Sequence, residues 1–394
     1  MNQVAIPVGE VSEQIRGVSY GKGDATDAPE DGYLPVLRAG NITEFGVIYD
    51  DLVYVPRRFV SEKQLLRSGD VLIAASSGSL DVVGKAAPVL SDYEGAFGAF
   101  CKVLRPIRNR VDPRYFSHYF RTTDYRRTVS NLAAGANINN LKNEHLDNLL
   151  IPLPTIDEQR RIAAILDQAD ALRAKRRDAL AQLDRLAQSV FVEMFGDPET
   201  NPKNLRKSAI SDIAEVSTGS TPSRGSGDFY GGSIPWVKTT EVTGEVIHDT
   251  EEKLTEAGLR SIRGKLHPVN SILVAMYGQG QTRGRAALLA LEASCNQACG
   301  VIRPSEHYLP RFMFAQLLLG YDRLRALGRG GNQENLNLQL LGAFEVLVPP
   351  LAIQQAFVTR MSAIDALKAM HRTALAELDA LFASLQHRAF RGEL

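Results

Sequence analysis

Four side chains that can grip a nucleobase lie within seven residues of one another. They are Gln279, Gln281, Arg283 and Arg285, in the stretch YGQGQTRGRAA (Tyr277 to Ala287). Glutamine and arginine can each form two parallel hydrogen bonds with the edge of adenine or guanine. The intervening glycines let a backbone approach closely. In the first half of the chain, SSGSLDVVGKAA (Ser76 to Ala87) ends in the same way but carries Ser76, Ser77 and Lys85 instead. Any one of these residues would fit an ordinary polar turn; the cluster as a whole points to base edges.

Other chemistries find less support. VPPL at Val348 lacks the acidic or amide residue with which an adenine methyltransferase holds its target amino group. DTEEK at Asp249 packs its carboxylates and lysine too closely for a metal nuclease and reads as an exposed turn. GKGDATDAP and GQGQTRGR are glycine-rich without the GK[ST] of a phosphate loop. The seven histidines show neither metal spacing nor a neighbouring nucleophile. Cys295 and Cys299 have no second ligand pair, so with Cys101 they read as buried thiols. A binding scaffold is the better reading.

The composition agrees. The chain has 394 residues, 44% apolar and 23% charged, enough for two or three globular domains. Forty-five basic residues balance forty-five acidic ones, so any nucleic-acid face must be local. One candidate runs from Cys101 to Ser130, where Lys102 and seven arginines interleave with Tyr115, Phe116, Tyr119, Phe120 and Tyr125. The arginines fit phosphate contact; the aromatics read as core. With no apolar run of about twenty residues and no disulfide framework, a cytoplasmic location is expected and no membrane is implied.

The elements that would position these residues are written twice. DALRAKRRDALAQLDRL (Asp170 to Leu186) and DALKAMHRTALAELDAL (Asp365 to Leu381) agree at eleven of seventeen positions without a gap. LPVLRAGNI at Leu34 faces IPWVKTTEV at Ile234, which sets Arg38 against Lys238, beside Thr239. GDVLIAASSG, ending at Gly78, faces VNSILVAMYG, ending at Gly278. GKAA at Gly84 faces GRAA at Gly284, and CKVLRP at Cys101 faces CGVIRP at Cys299. GANINNL and GGNQENL align Asn137 with Asn332. Before the helices, IPLPTIDEQRRI faces VLVPPLAIQQAFV, pairing Pro154 with Pro350, Gln159 with Gln355 and Ile162 with Val358. The order is kept throughout and the offset stays between 195 and 200 residues, the mark of an ancient duplication.

Short apolar strands such as Asp70 to Ala75 and Ser271 to Met276, with late helices opening on Pro113 and Pro310, predict α+β domains. The domains span 1–150 and 197–345. Long helices follow over 151–196 and 346–394, each on the order of 55 Å long. Apolar residues at steps of three and four, among them Ile165, Leu172, Leu183 and Leu186, then Leu367, Leu378 and Leu381, read as a coiled-coil seam. Arg176 and His371 fall at one seam position, either fixing register or reaching to water. A pseudo-twofold relation of the units makes the helices antiparallel.

PLPTIDEQRRI with its helix, FGD at Phe195 and the closing FRGEL resemble the specificity subunit of type I restriction–modification systems over essentially the whole chain. The second motif has Gln354 where the family has Glu. The resemblance implies two similar α/β target-recognition domains separated by two long antiparallel coiled-coil helices. Each domain would read half of a split double-stranded DNA site, and the helices would set the unread spacer. Two modification subunits would dock on the chain and methylate adenine with S-adenosylmethionine. Restriction subunits would add ATP-dependent translocation and cleavage. S-adenosylmethionine, ATP and Mg would belong to those partners, and this chain would bind no cofactor and catalyse nothing alone. Partnership with a fused methyltransferase–nuclease, or a scaffold that binds only proteins, are the alternatives. On this view the candidate DNA contacts are Arg38, Ser76, Ser77, Lys85, Lys102 and Asn137 in the first domain. In the second they are Lys238, Thr239, Tyr277, Gln279, Gln281, Arg283, Arg285 and Asn332.

Overall fold

The computed structural model describes residues 4–44, 46–79, 81–134, 140–262, 265–278, 280–328 and 335–394. Two bodies emerge, one of residues 1–177 with 373–394, the other of residues 178–372.

In the first body, strand Val71–Ala74 lies inside a four-stranded antiparallel sheet, between Cys101–Pro106 and Ala86–Pro88, with Ser12–Arg16 at the far edge. All four of its residues are buried because both faces of the sheet are covered. Val71 and Ile73 join a core beneath the helices, while Leu72 and Ala74 face the opposite cluster with Leu37 and Phe97. A strand covered on both sides reads as an unbroken apolar run, which is why it was visible in the sequence. A smaller sheet, Val53–Pro56, Tyr33–Leu37 and Ala96–Phe97, forms the outer layer.

The second body repeats this plan. Ile272–Ala275 lies between Cys299–Ile302 and Ala286–Leu289, with Val216–Thr218 beyond and Val246–Ile247 added at the other edge. Ile272 and Val274 face one core, and Leu273 and Ala275 the other. Its small sheet is Glu252–Leu254, Tyr230–Val237 and Ser294–Cys295. Cys101 lies opposite Ala74 and Cys299 opposite Ala275, so the true strand offset is 201 residues. Gly84 and Gly284 donate to Ala74 and Ala275. The connecting loop is therefore one residue shorter in the second body, and Gly78 and Gly278 are not equivalent.

Each predicted late helix is broken in two: Pro113–Tyr119 and Thr123–Ala134, then Pro310–Leu319 and Tyr321–Leu327. The Thr122 hydroxyl causes the first break, accepting from Tyr125 N–H and donating to the Tyr119 carbonyl.

The long helices run Ile156–Phe195 and Leu351–Ala389. In the first body Arg161 reaches the Leu394 carbonyl, while Arg173 and Arg177 meet Asp379, so the two helices are antiparallel there. In the second body Lys368 pairs with Asp184 and Arg360 with Glu193, again antiparallel. The duplication maps Arg173 onto Lys368 and Asp379 onto Asp184, so both bodies carry the same cross-helix pair.

These contacts correct the seam. Leu172 (45% exposed), Leu186, Leu367 and Leu381 lie outside it, as does Arg176; Ile165, Leu183, Leu378 and His371 are half-buried. Inward positions are held by Arg173 and Arg177 in the first body and by Lys368 in the second, whose stems pack while carboxylates meet their heads. An apolar-inside rule cannot place such residues.

The pairing before the second helix also shifts by one. Gln159 is buried, donates to the Pro154 carbonyl at 2.9 Å and accepts from Asp112 N–H at 2.8 Å. Gln354, not Gln355, does the same with the Pro349 carbonyl and Leu309 N–H, both at 2.8 Å, whereas Gln355 is exposed. One residue turns a helix by about 100°, so only Gln354 can point inward. Gln354 thus matches the motif glutamine, and Ile353 takes the place of Glu158.

His267, fully buried, stands where the first body has buried Leu66; the two make matching isolated bridges, to Ala293 and Tyr93. Neither ring nitrogen of His267 has a hydrogen-bond partner among the described residues. Burial, with Lys265 and Arg303 nearby, pulls its pKa down to about 4. A folded-state pKa below the unfolded value of about 6.5 gives stability that is full above that pH and lost as pH falls toward 4. The stability of the second body against denaturation should fall by up to about 3 kcal/mol over that window. His267→Leu should flatten the profile; an unchanged slope in that variant would exclude His267 as its source.

Candidate nucleic-acid interface

In the first body three separate segments converge past the end of strand Val71–Ala74. Ala75 and Ser76 N–H both donate to the Phe100 carbonyl, at 2.9 and 3.0 Å. Ser76 bridges Asn140, and Leu141 N–H donates to the Ala75 carbonyl. Beside them opens a cleft of about 820 Å³ that brings together Arg38, Ser76 and Ser77, with Tyr20, Asn41 and Phe100. A second cleft of about 680 Å³ shares Ser19, Ala99 and Cys101 with it and adds Arg16, Lys102 and Lys142.

Arg38 is held at the cleft by Asp51, with 2.8 Å to its carboxylate and 2.7 Å to its carbonyl. Its counterpart Lys238 lies 2.6 Å from Glu251 and 3.2 Å from Glu252, and its pKa is raised, first by the bond to Glu251. The backbone turn behind each is the same: Asn41 accepts from Arg38 N–H and Glu241 from Lys238 N–H.

Several candidates are placed elsewhere. Lys102 is buried, donating to the Leu141 carbonyl at 2.6 Å and to Asn143 at 2.9 Å. Burial, and then Arg16, lower its pKa to about 8. It anchors a loop rather than presenting a charge. Thr239 is buried against Asn296. Arg283 is buried where the first body has Val83, its Nε shielded from solvent. Lys85 is half-buried and lines neither cleft.

In the second body Tyr277 is exposed. Gln281 and Arg285 bond each other at 3.1 Å, and Tyr321 donates to the Gln281 carbonyl. Gln281, Tyr321 and Arg325 border a smaller cleft of about 460 Å³, and Arg285 lines a neighbouring one of about 260 Å³. Asn137, Gln279 and Asn332 lie outside the described residues.

The basic run in the first body is largely paired within that body. Arg105 grips Asp70, Arg121 pairs with Asp170, Arg114 with Asp167 and Arg127 with Asp124, while Arg126 caps the Val83 carbonyl. The five aromatics are core. Among the described residues no group of three or more His, Cys, Asp or Glu is placed to hold a metal, and no helix is long and apolar enough to cross a membrane. The three cysteines are buried free thiols, Cys101 being pushed up to about 12 by burial.

Residues missed from sequence include Phe100, Arg16 and Tyr20, all lining the clefts. The available signal for Phe100 was the repeat itself. CKVLRP and CGVIRP set Phe100 against Ala298, an aromatic against a methyl where the framework agrees.

Two bodies of one topology, with side chains differing around a shared backbone, define a duplicated recognition module. The model of the type I restriction modification DNA specificity domain matches residues 6–182 and again 202–380. The StySPI type I restriction enzyme specificity subunit of Salmonella potsdam is 30% identical, covering 98% of this chain and 88% of that one. The EcoKI specificity subunit of Escherichia coli (strain K12) is 29% identical, covering 99% and 89%. The fold is shared with the S subunit of a type I system from M. genitalium, at TM-score 0.56, 14% identity and 99% and 96% coverage. It is also shared with a chain solved in work on assembly and conformational transition of the type I R-M system, at TM-score 0.52, 18% identity and 100% and 99% coverage. The chain belongs to the type I restriction–modification specificity subunits, and it recognises DNA target sequences.

Proposed function

We propose that each body reads one half of a bipartite double-stranded DNA target, and that the long helices set the unread spacer and dock two modification subunits. The observation that carries this reading is the matched backbone with unmatched side chains. Ala75 and Met276 each donate one backbone hydrogen bond, to the Phe100 and Ala298 carbonyls, and accept one, from Leu141 and Leu336 N–H, yet Ser76, Ser77 and Phe100 border one site and Tyr277 and Ala298 the other. Docking is supported by the leucines outside the seam, Leu172 and Leu381 in the first body and Leu186 and Leu367 in the second. The chain works in the cytoplasm, and restriction subunits complete the machine.

Tyr277, Gln281 and Arg285, replaced together by Ala, should relax one half of the methylated sequence and leave the other intact. Each good bidentate contact contributes about 1–3 kcal/mol of discrimination. Mapping of methylated adenines in a host carrying the variant reads this directly; equal decay of both halves would refute the assignment.

Catalysis belongs to the partners, which would hold S-adenosylmethionine, ATP and Mg. The purified chain should neither methylate nor cut DNA. Detectable S-adenosylmethionine binding by the chain alone, measured calorimetrically, would overturn this division of labour.

A further inference from the structure

Phe100 is 69% exposed although its backbone carbonyl is held by two hydrogen bonds. Cys101 N–H donates to the Gly98 carbonyl across a tight turn, and the Phe100 carbonyl receives both Ala75 and Ser76. The framework does not need the ring. In the second body Ala298 occupies this position, and its carbonyl receives Met276 N–H in the same way. The phenyl group is thus an addition to a site that folds without it.

Its surroundings indicate what it meets. It lines the cleft that holds Arg38, Ser76 and Ser77, which exposed Ile48 also lines. Hydroxyl and guanidinium groups suit base edges and phosphates. One feature of the major groove suits an apolar side chain: the 5-methyl group of thymine.

We propose that Phe100 is a specificity-determining residue whose ring reads a thymine methyl group in the half-site taken by the first body. The proposal rests on the half-site reading above. A ring held on a rigid turn gives this contact little ordering cost. Removing one buried methyl from such a contact should weaken binding about fourfold.

The test uses the chain assembled with its modification subunits. Duplexes carry the mapped target with thymine or deoxyuridine at each thymine of the first half-site, on either strand. Wild type should lose about fourfold at one position. Phe100→Ala should bind both duplexes there alike, and its methylation map should become degenerate at that position only. Phe100→Leu should keep part of the discrimination. Because the ring is exposed, thermal unfolding of Phe100→Ala should match wild type, separating a lost contact from a lost fold. Wild-type indifference to deoxyuridine at every position would overturn the proposal. So would discrimination that survives in Phe100→Ala, or a uniform loss on all duplexes. If the second-body loop variant relaxes one half while Phe100→Ala leaves the other sharp, only this proposal fails. If both variants leave both halves sharp, the half-site reading fails with it.

Discussion

Asp70→Ala is expected to destabilise the first body by about 3–5 kcal/mol, the cost of removing one partner of a buried ion pair. Asp70 is 1% exposed, and its two oxygens accept from Arg105 at 2.8 and 2.7 Å and from Arg67 N–H at 2.9 Å. Arg105 also donates to the Lys63 and Leu65 carbonyls, so its head stays mostly buried when the carboxylate goes. The second body provides a built-in control. Arg303 is the counterpart of Arg105, but Ser271 stands where Asp70 would be, and the arginine turns to Glu215 at 3.1 Å in a half-exposed pair. Glu215→Ala should therefore cost less than about 1 kcal/mol. Urea denaturation of the two variants checks the contrast; equal losses would show that burial does not set the worth of these pairs.

Matched insertions of four residues after Arg177 and after Arg372 should move methylation to a new site whose unread spacer is one or two base pairs longer. Four helical residues add about 6 Å, close to two base-pair steps, and turn the helix by only about 40° beyond a full revolution. The positions are chosen from the ion pairs. Arg173 and Arg177 keep Asp379 in the first body, and Lys368 keeps Asp184 in the second, so neither body loses a partner. Methylation of the original site should fall to background, with both half-sites unchanged in sequence. Persistence of the original spacer at full activity would show that the helices do not set the distance.

The duplication and the two long helices were legible because both rest on repeated patterns: an ungapped helix copy and strands apolar on both faces. The helix seam was not, because charge replaced hydrophobicity where Arg173 and Lys368 point inward. Gln354 was misassigned for a related reason: two adjacent glutamines look alike in a sequence, but only one faces the domain. Within the polar loop, spacing showed the cluster of Gln281, Arg283 and Arg285 but not which of them the hairpin turns inward. Val83 on the matching position marked Arg283 as buried, had polarity not drawn the eye. Phe100 escaped because an apolar residue gives no polar signal, although its mismatch with Ala298 was on display.

The clamp made by Gln159 and Gln354 bears on how such a chain changes over generations. Each glutamine holds its domain through a main-chain N–H, that of Asp112 in one case and Leu309 in the other, two residues with nothing in common but their backbone. A joint that grips only peptide groups is blind to the identity of what it joins. A reader replaced between the clamps would keep this joint, and only the side-chain pairs around it, Arg114 with Asp167, Arg121 with Asp170 and Arg311 with Asp365, would have to be matched anew.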